Sequence, residues 1–131
     1  MRGGQTAYAR KRPPKSDWIK AIELAPLKQR KRLKVTVGSL DIALFYSDGE
    51  VFALNDICIH KSNRLSQGHV FKGKVICPGH QWAFDLRTGW VDEWAKCQPV
   101  FPVKVADDVV YIKLEPQILT AKPANAQGLE R

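Results

Sequence analysis

From Asp17 onward, apolar and polar positions alternate in short runs broken by turn residues, with hardly a segment of helical period at helix length. Trp18-Ile-Lys-Ala-Ile22 begins the series, and Leu33-Lys-Val-Thr-Val37 alternates at period two, as a half-buried strand does. Gly38-Ser39 turns into the apolar run Ile42-Ala-Leu-Phe-Tyr46, and Asp48-Gly49 turns again into Val51-Phe-Ala-Leu54. Asp-Gly between apolar runs is a strong short-range hairpin signal. The far end repeats this grammar: Val100-Phe-Pro-Val-Lys-Val105, a tight Asp107-Asp108 turn, then Val109-Val-Tyr-Ile-Lys-Leu114. Only Ala21–Leu33 is ambiguous between helix and strand. The pattern predicts an all-β sandwich or barrel of short antiparallel strands. After Glu115 the chain turns rich in Ala, Pro and Gln and loses its period, which predicts a loose tail over 116–131.

Composition narrows the class. The 131 residues suit one domain with one modest core, and the longest apolar runs are far short of a membrane span. Three cysteines, an odd number, argue against a disulfide-stapled secreted module, and no secretory apolar segment follows the N-terminal basic residues. A reducing cytoplasmic setting is therefore expected. The formal charge of +8 is unevenly placed: residues 1–16 hold five basic side chains and no acid, and Lys28–Lys34 holds another five. This reads as a basic disordered tail plus a charged strand edge. Nucleic-acid binding is disfavoured, because the aromatic interleaving used on single strands is missing.

The segment from Asn55 to about Trp90 is different. It holds all three histidines, two of the three cysteines and four of the nine glycines. Cys58-Ile-His60 and Cys77-Pro-Gly-His80 each pair a thiol with an imidazole, sixteen residues apart. Soft thiolates with imidazoles are a metal-site composition. Zinc is one candidate, and with it a zinc-binding interaction module whose basic tail lies on nucleic acid. Zinc fingers, however, group their cysteines on one element and their histidines on another. Two loops that each supply one Cys and one His suit a two-metal cluster, thiolates on one metal and imidazoles on the other.

C-x-H, sixteen residues, then C-x-x-H resembles the signature of Rieske-type [2Fe–2S] proteins, in which two histidines replace two cysteines on one iron. The likeness continues in Phe52-Ala-Leu-Asn-Asp56, Leu65-Ser66, Gly68, Val75–His80, Trp82-Ala-Phe-Asp-Leu-Arg-Thr-Gly89 and Phe101-Pro-Val-Lys-Val105. It covers about residues 17–115, with a cluster-binding subdomain at about 55–90. The resemblance implies one [2Fe–2S] cluster per chain, with Cys58 and Cys77 on the inner iron and His60 and His80 on the outer, more exposed one. It implies a soluble one-electron carrier with no catalytic residues of its own. Electrons would come from an NAD(P)H-dependent flavoprotein reductase and go to a terminal oxygenase or similar acceptor. The small subunit of a nitrite reductase-type complex is the alternative setting.

The likeness also sorts the type. High-potential respiratory members have two further cysteines, bonded to each other, where this chain has Asn63 and Gly79. They carry sulfur-bonding hydroxyls where this chain has Trp82 and Phe84, so a low-potential ferredoxin type is expected. The proline-containing covering loop of the family's ferredoxins is replaced by Asp92–Gln98, where Trp94 is the candidate cover. Trp82 and Trp90 read as core, Cys97 as a small buried hydrophobe, and His69 as a turn-surface residue. Five basic against two acidic residues between Asn55 and Trp90 predict a modest positive rim.

Overall fold

The computed structural model describes residues 18–59, 63–79 and 82–123. Strand β1 (Ile19–Glu23) leads into helix α1 (Leu24–Arg30), followed by β2 (Arg32–Val37), β3 (Leu40–Ser47) and β4 (Glu50–Asn55). After a 3-10 turn at Leu65–Gln67 come β5 (His69–Phe71), β6 (Lys74–Ile76) and β7 (Ala83–Asp85). The chain closes with β8 (Trp90–Val91), β9 (Lys96–Cys97), β10 (Val100–Phe101), β11 (Val103–Ala106) and β12 (Val109–Ile112). Every strand pairing among the described residues is antiparallel. The sheets run β10-β4-β3-β2, β1-β12-β11, β5-β6-β7 and β8-β9, so the all-β expectation holds. No helix among the described residues is long and apolar enough to cross a membrane.

The ambiguous stretch holds the one α-helix among the described residues, between the end of β1 and the start of β2. Pro26 sits in its first turn, where a missing N–H costs no intrahelical bond. Leu27 is its buried residue, and Lys31 ends it in the left-handed region at φ 76°, its N–H bonded to the Leu27 carbonyl. The β3–β4 hairpin turns on Asp48 (φ 51°) and Gly49 (φ 78°), and the β5–β6 hairpin on Lys72 (φ 51°) and Gly73 (φ 79°). Two left-handed residues match the strand twist of a two-residue hairpin.

The apolar run on β3 is buried on both faces. Ala43 and Phe45 point into one core, with Leu54, Leu65, Val75, Phe84, Leu86 and Val91. Ile42 and Leu44 point into another, with Leu27, Ala53, Phe101, Val110 and Ile112. A strand covered on both sides reads as a continuous apolar run, because alternation survives only where one face meets water. The single strand expected over Val100–Val105 is broken. Pro102 has no N–H for a ladder, and there the chain leaves β4 to pair with β12. Farther on, Gln117 exchanges both backbone hydrogen bonds with Val100, at 2.7 and 3.1 Å, and extends the β10 edge.

Candidate metal centre

Both cysteines of the paired motifs belong to the first core. Cys58 lies just past β4 and Cys77 just past β6, at 2% and 0% exposure, in one contiguous buried cluster. Each is held by its backbone at the base of a loop. The Cys58 N–H donates to the Asn63 carbonyl at 2.8 Å, beside an isolated bridge between Ile57 and Arg64. The Cys77 N–H donates to the Trp82 carbonyl at 2.8 Å and closes the second loop. His60 and His80, the other two expected ligands, lie outside the described residues.

The loops touch at Gly79. A Cβ there would lie 2.1 Å from Asn63 Nδ2, so glycine is what allows the Asn63 amide against the second loop. These are the two positions of the respiratory disulfide, and here a polar packing contact takes its place.

Buried Asp56 anchors the first loop. Its carboxylate accepts the Ser66 N–H at 2.8 Å and Arg64 Nη1 at 3.3 Å, and its carbonyl accepts the Leu65 N–H. Arg64 also bonds Asp41 at 2.7 Å, and Thr36 Oγ1 donates to the same carboxylate. Arg64 first, then Thr36, holds the Asp41 carboxyl below the usual range. A carboxyl lowered on folding contributes stability above its unfolded pKa, and that contribution is lost as pH falls through the lower folded value. Asp41→Asn should therefore flatten the dependence of urea midpoint on pH below about pH 4. An equally steep acid limb in the variant would contradict this account.

Arg64 is thus committed within the fold, and Arg87 bonds Glu50 at 2.7 Å. The positive rim expected from the count loses both arginines to these pairs, and Lys72 and Lys74 are the basic residues it keeps among those described. His69 is exposed as expected, on strand β5 rather than on a turn.

The aromatic residues divide. Trp90 is core, whereas half-buried Trp82 stacks on Trp94 with ring centroids 5.3 Å apart and planes at 16°. Phe84 tilts against Trp82 from below, at 6.2 Å. Trp94 is 54% exposed, so the β8–β9 hairpin lays an exposed ring over the end of the second loop. Cys97, on the same hairpin, is buried as expected. Its thiol faces the Thr88 carbonyl at 3.2 Å and accepts the Leu119 N–H at 3.2 Å, and burial pushes its pKa up.

Gln98 was not legible in the sequence. It is fully buried, donates from Nε2 to the Asn55 and Ile57 carbonyls, both at 2.7 Å, and accepts the Ile59 N–H at 3.0 Å. Among the described residues no three His, Cys, Asp or Glu side chains gather. What they do provide is two buried sulfur donors from two loops in contact, in apolar surroundings. That donor set fits a thiolate-held iron and leaves the other metal to imidazoles, the division a Rieske cluster requires.

A small antiparallel β-fold with a buried cysteine at the base of each of two abutting loops presents the thiolate half of an iron–sulfur site. A family model described as the Rieske [2Fe–2S] domain matches residues 17–107. The ferredoxin component of the naphthalene 1,2-dioxygenase system of Pseudomonas putida is 36% identical over an alignment of 103 residues that covers 74% of this chain and 95% of that protein. Among solved structures, the complex of reduced oxygenase and oxidized ferredoxin in carbazole 1,9a-dioxygenase contains a chain matching at TM-score 0.69. That match has 26% identity and covers 78% of this chain and 97% of the other. Sphingomonas yanoikuyae B1 ferredoxin matches at TM-score 0.68 and 25% identity, over 75% and 99%. The chain belongs to the Rieske [2Fe–2S] family, and within it to the ferredoxins, electron carriers built around a [2Fe–2S] cluster.

Proposed function

We propose that this chain carries single electrons from an NAD(P)H-dependent flavoprotein reductase to the terminal oxygenase of an aromatic-ring dioxygenase system in the cytoplasm. The carbazole system supports the acceptor: there an oxygenase and a ferredoxin form a complex. The nitrite reductase setting lacks comparable support. Cys58 and Cys77 hold the inner iron, and His60 and His80 the outer one, within a domain of residues 17–115. Of the flanking segments 1–16 and 116–131, the second is not wholly loose, because Gln117 and Leu119 bond to the domain. The observation that carries the ligand reading is the pair of thiols in one buried cluster, at the bases of two loops in contact at Gly79. When bound, the cluster supplies one reversible electron. The protein's part is to keep the thiolates dry, fix their direction through the loop-base hydrogen bonds, and cover the second loop with Trp94.

Phe84 and Trp82 offer no hydroxyl to the cluster, and hydrogen bonds to sulfur raise the potential by stabilising the electron-rich reduced state. A redox titration followed by EPR on anaerobic protein should give a rhombic signal with average g below the free-electron value. Its midpoint should fall in the lower half of the range of about −150 to +300 mV. A colourless, EPR-silent protein would remove the cluster, and a midpoint near the top of that range would remove the low-potential assignment.

A further inference from the structure

We propose that Gln98 is a positioning residue for the metal centre: its buried amide fixes the backbone on both sides of Cys58 and keeps the Ile59 N–H from the cluster sulfurs. The inference rests on the reading that Cys58 is a ligand.

Glutamine is seldom fully buried, and burial requires its polar atoms to be satisfied. Here the three bonds of Gln98 all go to one loop. Nε2 spans the carbonyls of Asn55 and Ile57, and Oε1 takes the Ile59 N–H from 39 residues away. Two carbonyls on one side and an N–H on the other fix which end of the amide is which. The peptides before and after Cys58 are therefore pinned by a single side chain.

That side chain is itself anchored. The Gln98 N–H donates to the Gly89 carbonyl at 2.8 Å, and the Gln98 carbonyl lies against Gly89, where a Cβ would come within 2.0 Å. The next residue returns to the same loop, since the Pro99 carbonyl accepts the Asn55 N–H at 2.9 Å. Gln98 follows directly on the β8–β9 hairpin that carries Trp94. One segment thus reaches both cluster loops, the first through Gln98 and the second through the Trp94–Trp82 stack.

The chemistry follows from where the N–H groups go. The N–H of Cys58 is committed to Asn63, and that of Ile59 to Gln98. Neither is available to a thiolate or sulfide. Backbone N–H bonds to sulfur stabilise the reduced form, so diverting one favours a low potential. Gln98 thereby ties loop geometry to redox tuning in a chain that has no disulfide between its cluster loops.

Gln98→Met keeps length and volume and removes all three hydrogen bonds. Gln98→Glu keeps the acceptor for Ile59 but removes both donations, to the Asn55 and Ile57 carbonyls. Reduced Gln98→Met should show altered g anisotropy and an upward-shifted midpoint, and the oxidised protein should release iron to a chelator about tenfold faster than wild type. Gln98→Glu should keep a midpoint nearer wild type while releasing iron faster than wild type. A Gln98→Met protein with wild-type g values and midpoint overturns the proposal, even if its melting temperature falls, because that result describes packing alone. If Gln98→Met yields no loaded protein, iron release from Gln98→Glu decides, and a wild-type rate overturns it. A wild-type chain lacking the Rieske signal overturns this inference together with the ligand assignment, whereas a normal wild-type signal with silent Gln98 variants overturns this inference alone.

Discussion

Replacing Cys77 or Cys58 by alanine is expected to abolish the rhombic signal and the visible colour, while Cys97→Ser leaves both intact. Cys77 and Cys58 share one buried cluster at the two loop bases, and removing either thiolate leaves an iron without a donor that no other described residue replaces. Cys97 is also buried, so burial alone does not separate the three. Position and partners do. Its sulfur is occupied by the Thr88 carbonyl and the Leu119 N–H, both of which a serine hydroxyl satisfies, and burial favours its neutral form. The cost of Cys97→Ser should be about 1 kcal/mol, that of a modest change in a satisfied buried group. Iron and sulfide analysis beside EPR reads all three variants. A full cluster content in Cys77→Ala, or its loss in Cys97→Ser, would reverse the assignment.

The largest effect on folding is expected at Gly89. Its φ of +82° is left-handed, and a Cβ would lie 2.0 Å from the Gln98 carbonyl oxygen and 3.1 Å from Val100 Cγ1. The obstacle is backbone, which a rotamer change does not relieve. Conformational strain and overpacking therefore add, and Gly89→Ala should cost about 3 kcal/mol. Gly49 provides the control: its φ is +78°, but nothing lies within 4 Å of the added carbon, so Gly49→Ala should cost only about 1 kcal/mol. The difference between their urea midpoints isolates the close approach. Because Gly89 seats Gln98, its variant should also lose iron more readily than the Gly49 variant. Equal midpoints for the two would show that the β7–β8 turn yields without resistance.

Much of this molecule was legible in its sequence because local chemistry encodes it. Asp48-Gly49 turns because both residues tolerate positive φ, and alternation in Leu33–Val37 marks a strand with one wet face. Cys58-Ile-His60 and Cys77-Pro-Gly-His80 named the metal chemistry from residue type and spacing, and the family match bears out the [2Fe–2S] assignment. The helix Leu24–Arg30 was not legible, since seven residues carry too short a period to separate from a strand. The charge count erred at Arg64 and Arg87 because a count does not register pairing across the fold with Asp41, Asp56 and Glu50.

The sequence by itself determined the hairpins, the all-β class and the two short motifs that each pair a cysteine with a histidine, all of which depend on residues a few positions apart. Tertiary structure alone decided the two-sided burial of β3, the sheet switch at Pro102, the Asn63–Gly79 contact and the Gln98 clamp on the Cys58 loop. These depend on chain segments tens of residues apart meeting once the cores close. A buried amide reveals what it holds only when the backbone it must satisfy has been brought to it.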